Sequence, residues 1–339
     1  MNKKRLIRVA LASVVLAGAT AGSAALAAPL TYRSVTIDGV KIAYREAGSA
    51  DKPALLLLHG VPSSSRMYDG LMRKLGDRYH LIAPDYPGFG NSDAPAPDSF
   101  TYTFDHLSEV VQKFTDAVGL NRYVLFMQDY GAPVGMRMAV ARPYAVQGTI
   151  FQNGNVYEEG LGPMWAKRKA FWTDRAAHEQ EVRDGQLSLA VTRARHIGSD
   201  PDVEAYDPDL WMDEHACLNR PGQAAIQADL IYDYQTNIAS YPAWQKWLGA
   251  YRLPVLVIWG KHDLAFTVDG AQAFKRDVPQ ARVAILDAGH FAMDTRLEEV
   301  VELTNQYMQA NHAVFSAGVQ PANYGMSSGL TATTTRKLP

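Results

Sequence analysis

The chain is expected to fold as an α/β domain built on a doubly wound, mostly parallel sheet with a helical cap inserted into it. Three observations lead there. Short apolar runs end in turns containing Gly or Asp, amphipathic or small-residue stretches lie between them, and over residues 156–250 that alternation stops. Strands that alternate with helices form parallel sheets, because each crossover helix covers one face of the sheet. Strands buried on both faces read as unbroken apolar runs. With 339 residues, 47% hydrophobic and 20% charged, the composition is that of a globular chain able to bury a sizeable core.

The N-terminus stands apart from this pattern. Lys3, Lys4, Arg5 and Arg8 precede an Ala-rich apolar stretch from Val9 to about Ala25, which ends in Ala25-Leu26-Ala27. This is the layout of a secretory signal peptide with a small-residue cleavage site. A retained membrane anchor is the alternative, although the stretch is weak by transmembrane standards. No Cys follows the site and no twin-Arg pair precedes it, so Sec-type export to the periplasm or beyond is expected. Residues 1–27 carry four basic and no acidic groups, so their removal takes the formal charge from −2 to −6. Such a chain suits neither nucleic acid nor an anionic membrane. Cys217 is the single cysteine, which excludes an intrachain disulfide and reads as a buried apolar thiol.

Thr31–Ile37 and Val40–Tyr44 read as strands joined by an Asp38-Gly39 hairpin turn. Leu55–Leu58 is a buried strand ending at His59-Gly60-Val61-Pro62, and a helical stretch follows to about Gly76. His80–Pro84 is a strand that runs into Asp85-Tyr86-Pro87-Gly88-Phe89-Gly90-Asn91-Ser92, where the glycines mark a tight turn. Phe104–Val118 has helical spacing and closes at Gly119. Tyr123–Met127 is a buried strand, followed by Gln128-Asp129-Tyr130-Gly131 and a small-residue helix from Ala132 to about Arg142. Val146–Gln152 is the next strand. In the cap, Gly222 to about Asn237 reads as one helix. Strands return at Pro254–Gly260 and Arg282–Leu286, and a last helix spans about Asp294–Asn311. The organisation is therefore a signal peptide over 1–27, a core over 28–155 and 251–312, a cap over 156–250, and a Gly-, Ser- and Thr-rich tail over 313–339 that reads as disordered.

Asp129 lies between a buried strand and a small-residue helix. A sharp turn of this kind holds a nucleophile at the carboxyl edge of the sheet, where open α/β sheets bind ligands. Gly131 supplies the small neighbour such a turn needs, and Met127 stands where Gly is frequent. A carboxylate can attack a saturated carbon and displace a halide or an epoxide oxygen, leaving an alkyl ester of the enzyme. A water deprotonated by an imidazole must then hydrolyse that ester. His290, in Asp287-Ala288-Gly289-His290-Phe291, is the candidate base, and Asp263, in Gly260-Lys261-His262-Asp263, would orient it. The backbone N–H groups of Val61 and Tyr130 would form an oxyanion hole. An Asp after a strand is usually a helix cap, and His-Gly after an apolar run is common. Specificity comes from four signals in this order on these elements. The remaining histidines show no metal-ligand spacing.

With these motifs the chain resembles the haloalkane dehalogenases and epoxide hydrolases of the α/β-hydrolase superfamily. The resemblance covers roughly residues 31–311 and rests on His59-Gly60-Val61-Pro62, Asp85-x-Pro87-Gly88-x-Gly90-x-Ser92, Gln128-Asp129-Tyr130-Gly131, Gly260-x-x-Asp263 and Gly289-His290-Phe291. It implies a helical cap, no cofactor, no metal, and a small apolar electrophile and water as the reaction partners. Dehalogenases of this type tend to hold the leaving halide with a Trp after the nucleophile and an Asn after His-Gly; this chain has Tyr130 and Val61 there. Epoxide hydrolases protonate the epoxide oxygen from cap tyrosines, and Tyr234 matches one such position. A second Tyr has no match in the early cap, where Trp165 and Trp172 stand. His59, Pro62, Trp165, Trp172 and Trp211 are candidates for lining the pocket. Epoxide hydrolysis to a vicinal diol is the expected activity. Dehalogenation of a haloalkane or haloacid is the alternative, and a non-catalytic exported binding protein is a more distant one.

Export is directly testable. N-terminal sequencing of the mature protein should start near Ala28, on material recovered from outside the cytoplasm. Intact Met1 on protein from the cytosol would refute a cleaved signal.

Overall fold

The computed structural model describes residues 29–316. The signal-peptide segment and residues 317–339 of the expected tail lie outside these. Eight strands form one sheet: β1 (Thr31–Ile37), β2 (Val40–Ala47), β3 (Ala54–Leu58), β4 (His80–Pro84), β5 (Tyr123–Gln128), β6 (Val146–Gln152), β7 (Val255–Gly260) and β8 (Arg282–Leu286). Their order is β1-β2-β4-β3-β5-β6-β7-β8. The hairpin β1–β2 and the β2–β4 pair are antiparallel, and every later pair is parallel.

Side chains of the central strands alternate between two cores, as period-2 geometry requires. Leu56, Leu58, Leu125 and Met127 pack on one face with α2 (Phe104–Ala117) and α3 (Gly131–Ala141). Leu55, Leu57, Val124 and Phe126 pack on the other with α1 (Asp69–Leu75) and α11, which spans Met293–Ala310. Helix α2 shows why a stretch with polar surface folds here. Phe104, Leu107, Val111 and Phe114 are buried at helical spacing, and the Thr103 side chain caps the first turn by accepting from the His106 N–H.

Between β6 and β7 there is no strand. The chain instead forms α4 (Trp165–Thr173), α5 (Arg175–Leu187), α6 (Leu189–Ile197), α7 (Asp209–Leu218), α8 (Gln223–Asp233) and α9 (Gln235–Tyr251). Helix α10 (Val268–Asp277) follows β7. The helix expected over Gly222–Asn237 is two helices that meet at Tyr234, and the second continues to Tyr251 through Pro242. The corner is held by packing: the Tyr234 ring lies against Phe104, Tyr130 and Trp165. The tail also starts later than expected. Ala313–Ser316 belong to α12 (His312–Ser316), where Phe315 is buried against Tyr307 and its carbonyl accepts from Gln147 Nε2 at 3.0 Å. Cys217 is half-buried, not sealed in an apolar site, and Arg220 Nη2 lies 3.1 Å from its sulfur. Among the described residues no helix is long and apolar enough to cross a membrane.

A buried ionic clamp fastens the inserted helices to the sheet domain. His196 of α6 reaches Glu214 of α7 at 2.8 Å and Asp294 of α11 at 2.7 Å. Its ring stacks on Phe291 with centroids 4.5 Å apart. Burial alone would lower the imidazole pKa, but the two carboxylates outweigh it and push it up to about 10. A neighbouring strut works the same way: Tyr206 Oη accepts from the Gly289 N–H at 3.0 Å and donates to Asp200.

His196→Asn should therefore destabilise the fold by about 3 kcal/mol, because it leaves buried carboxylates uncompensated. A folded pKa above the ordinary 6.5 adds stability that is complete below about pH 6.5 and is lost as pH rises toward about 10. Urea unfolding across that range should show the decline in the parent protein and a shallower one in the variant.

Candidate active site

The carboxyl ends of five parallel strands converge at one edge. They deliver Val61 after β3, Asp129 after β5, Asn153 after β6, Asp263 after β7 and His290 after β8. Asp129 sits at φ +47°, in the left-handed region that side chains other than Gly and Asn rarely adopt. Such a conformation costs on the order of 1–3 kcal/mol and survives only where its surroundings enforce it. The enforcement is close packing: a Cβ on Gly131 would lie 2.1 Å from the Leu58 carbonyl oxygen. Met127, at a position where Gly is frequent, finds room because Gly135 faces its sulfur.

The Val61 N–H donates to Asp129 Oδ1 at 2.9 Å, and the Tyr130 N–H also bonds this carboxylate. A Cβ on Gly60 would lie 2.3 Å from that of Asp129, so only glycine lets the β3 turn approach this closely. Asp129 Oδ2 lies 3.4 Å from His290 Nε2, and His290 Nδ1 lies 2.6 Å from Asp263 Oδ2. Asp263 is fixed in turn. Asn153 Nδ2 donates to its Oδ2 at 2.8 Å, and the Ala265 N–H donates to its Oδ1 at 2.7 Å. Asn153 is itself at φ +45° and accepts from the Gly260 N–H.

The electrostatics follow from this row. Burial would raise the Asp129 pKa, but His290 and the two N–H groups outweigh it and hold the carboxyl below its ordinary value. Burial would lower His290, but the Asp263 charge, with Asp129 second, pushes it up to about 10. The arrangement offers a charged carboxylate, an imidazole oriented by a second carboxylate, and two N–H groups that bond the Asp129 carboxylate. These parts suffice for covalent attack through Asp129 and activation of a water at Nε2.

The expected pocket residues divide. His59 is a brace for the turn: it is fully buried, stacks on Tyr86 at 4.2 Å, and its Nε2 accepts from the Tyr86 N–H. Pro62 is buried beside Val61. Trp165 does join the site's aromatic wall, 4.6 Å from the Tyr234 ring and stacked on Phe266, which in turn lies 5.9 Å from His290. Its indole N–H is committed to the Ala265 carbonyl, and that of Trp172 to the Ile231 carbonyl, both at 2.7 Å. Trp211 does not belong here. It packs with Ile197 and Tyr206 near His196, because α7 lies against α6 and not over Asp129.

Tyr234 is fully buried, its ring 6.0 Å from that of Tyr130, and its hydroxyl makes no close hydrogen bond among the described residues, pairing only loosely with the Tyr241 phenol. Burial raises its pKa well above the ordinary range, and the charges of Tyr241 and Asp129 add to this. Sequence reasoning missed Tyr241. It lies two helical turns beyond Tyr234, is buried, and has Asn155 Nδ2 3.4 Å from its hydroxyl. Helical spacing from Tyr234 was the available signal. Also missed were Asn153, which nothing in the sequence marks, and the cap arginines Arg168 and Arg195. Both arginines act on the Tyr130 phenol through their charges.

Residues 53–297 match the model of the alpha/beta hydrolase fold family. An uncharacterized hydrolase of Saccharomyces cerevisiae is 39% identical over 78% of this chain and 92% of its own length. A haloalkane dehalogenase from Bradyrhizobium elkani superposes with a TM-score of 0.70 at 21% identity, over 84% of this chain and 99% of that one. An epoxide hydrolase superposes at 0.68 and 17% identity, over 83% of this chain and 99% of that one. At these identities the two structural likenesses speak to the fold.

Asp263→Asn removes the largest influence raising the His290 pKa. An NMR titration of the imidazole should find its pKa shifted from about 10 down toward the ordinary 6.5 or below. An unchanged titration would mean that Asp263 is not its charge partner.

Proposed function

We propose that this chain, a hydrolase belonging to the α/β-hydrolase family, opens epoxides to vicinal diols through an ester on Asp129. The observation that carries the reading is the Tyr234 hydroxyl, a buried acid paired loosely with the Tyr241 phenol, set beside Tyr130 in the aromatic wall above the carboxylate. An alkoxide leaves poorly unless it is protonated as the bond breaks, and a phenol, which burial makes a weaker acid here, still supplies that proton to the more basic alkoxide. A halide needs N–H donors. The expected indole donors, Trp165 and Trp172, are spent on backbone carbonyls.

In the proposed sequence an Asp129 oxygen attacks a ring carbon. The carbon–oxygen bond breaks, its electron pair moves to the epoxide oxygen, and that oxygen takes the Tyr234 proton. Alkylation removes the Asp129 charge, one of the influences holding His290 protonated, so the imidazole more readily releases its proton to solvent and takes the neutral form that can accept one. A water then attacks the ester carbonyl and gives a proton to His290 Nε2. The N–H groups of Val61 and Tyr130 stabilise the oxyanion. Collapse expels the diol oxygen, which takes the proton from His290. The water's second proton returns to the Tyr234 phenolate, Asp129 is a carboxylate again, and its restored charge lets His290 regain a proton from solvent.

Tyr234→Phe should slow epoxide opening by about 10²–10⁴-fold, the usual range for losing a general acid. Asp129→Ala should abolish turnover, and His290→Gln should accumulate substrate covalently on Asp129, visible by mass spectrometry. Epoxide opening at the parent rate by Tyr234→Phe would sink the assignment. Halide release from haloalkanes without diol formation from epoxides would replace it with dehalogenation.

A further inference from the structure

Arg168 and Arg195 are the inserted helices' unexplained charges. Arg168 of α4 is 8% exposed, and its guanidinium lies over the Trp165 ring at 4.5 Å. Its Nε is buried without a hydrogen-bond partner, as are both terminal nitrogens of Arg195 on α6. Neither forms an ion pair with a carboxylate among the described residues. The nearby acids are already engaged: Asp129 by Val61, Tyr130 and His290, and Glu214 by His196. Two buried guanidinium groups without counter-ions are costly, and like charges placed together cost more. Burial first, and the Arg168 charge second, bring Arg195 down to about 10, so it remains charged at neutral pH. Arg168 also hydrogen-bonds the Tyr130 phenol loosely, and the Arg195 charge acts on the same group, which brings both into the surroundings of the residue that follows Asp129.

We infer that Arg168 and Arg195 form a receptor for a carboxylate on the substrate, so that the electrophile opened at Asp129 is an epoxy acid, not a purely apolar epoxide. A guanidinium presents N–H groups in a planar fork that matches the two oxygens of a carboxylate, and such charge-assisted bonds are stronger in a water-poor site. The aromatic wall of Trp165, Tyr234 and Phe266 would hold the apolar part of the same molecule. The epoxy function rests on the reading above; the anion site does not.

The test separates the two. Phenylacetate and 3-phenylpropionate carry the anion but no electrophile, and phenylacetamide lacks the charge. Calorimetry on the mature protein should find the acids bound one to one and at least about 10-fold more tightly than the amide. Arg168→Gln and Arg195→Gln should each weaken acid binding by about 10–100-fold, the worth of hydrogen bonds to a charged group. Arg168→Lys and Arg195→Lys, which keep the charge but lose the fork, should fall between parent and Gln variants. They also serve if a Gln variant does not fold. Equal affinity for acid and amide, or acid binding unchanged in the variants, overturns the site. A second arm compares diol formation from 3-phenylglycidate and its methyl ester, with the acid expected to have the higher kcat/KM. Acids that bind as expected while neither compound is opened would retain the anion site and remove the epoxide chemistry.

Discussion

A row of buried ionisable groups, Asp129, His290 and Asp263, governs what is packed around it. Burying two carboxylates and an imidazole is tolerable only if each is paired or hydrogen-bonded, and the structure meets that requirement at every oxygen and nitrogen of the row. The consequences spread outward through the backbone. Asp129 and Asn153 both hold positive φ, and their side chains reach His290 and Asp263 respectively. The turn after β3 is glycine at residue 60 so that the Val61 N–H can reach Asp129. The resulting electric field works in both directions, lowering the carboxyl and raising the imidazole.

The inserted helices cover this row and are attached to the sheet domain both by a shared apolar cluster, in which Trp165, Leu230 and Tyr234 pack with Phe104 and Tyr130, and by polar contacts. His196 joins α6 and α7 to the start of α11, and Tyr206 donates to Asp200 while accepting from the backbone beside His290. The clamp therefore couples the placement of the helices to the loop that carries the imidazole. Above Asp129 the insertion presents aromatic rings together with the Tyr234 and Tyr241 phenols and the buried guanidinium nitrogens of Arg168 and Arg195. Apolar walls with a few convergent polar groups are the usual character of a small-molecule site.

Much of this was legible from the linear chain. Leu55–Leu58, Tyr123–Met127 and Pro254–Gly260 announced themselves as buried parallel strands because nothing polar interrupts them, and the turn residues that follow each strand carry the row of ionisable groups. Two errors had one cause. The helix read over Gly222–Asn237 breaks at Tyr234, and Trp211 lies away from Asp129, because in both cases contacts between helices decide what local periodicity cannot. The late start of the tail has the same origin: Phe315 is ordered by burial against Tyr307, far from any local propensity signal.

By itself, the sequence determined the strand order along the chain, the strand-to-helix turn at Asp129, and the residue types of the row, since backbone sterics and hydrophobic period act over a few neighbours. Only the tertiary structure decided which side chains meet. Asn153 backs Asp263 from a position 110 residues earlier in the chain. Tyr241 joins Tyr234 through a helix that sequence reading had ended too soon. Arg168 and Arg195 come near enough for their charges to act on one another although 27 residues and a helix separate them. The physical reason is the same for each. A side chain's partners in a packed interior are set by how rigid helices and strands dock, and docking depends on surfaces that no short window of sequence contains.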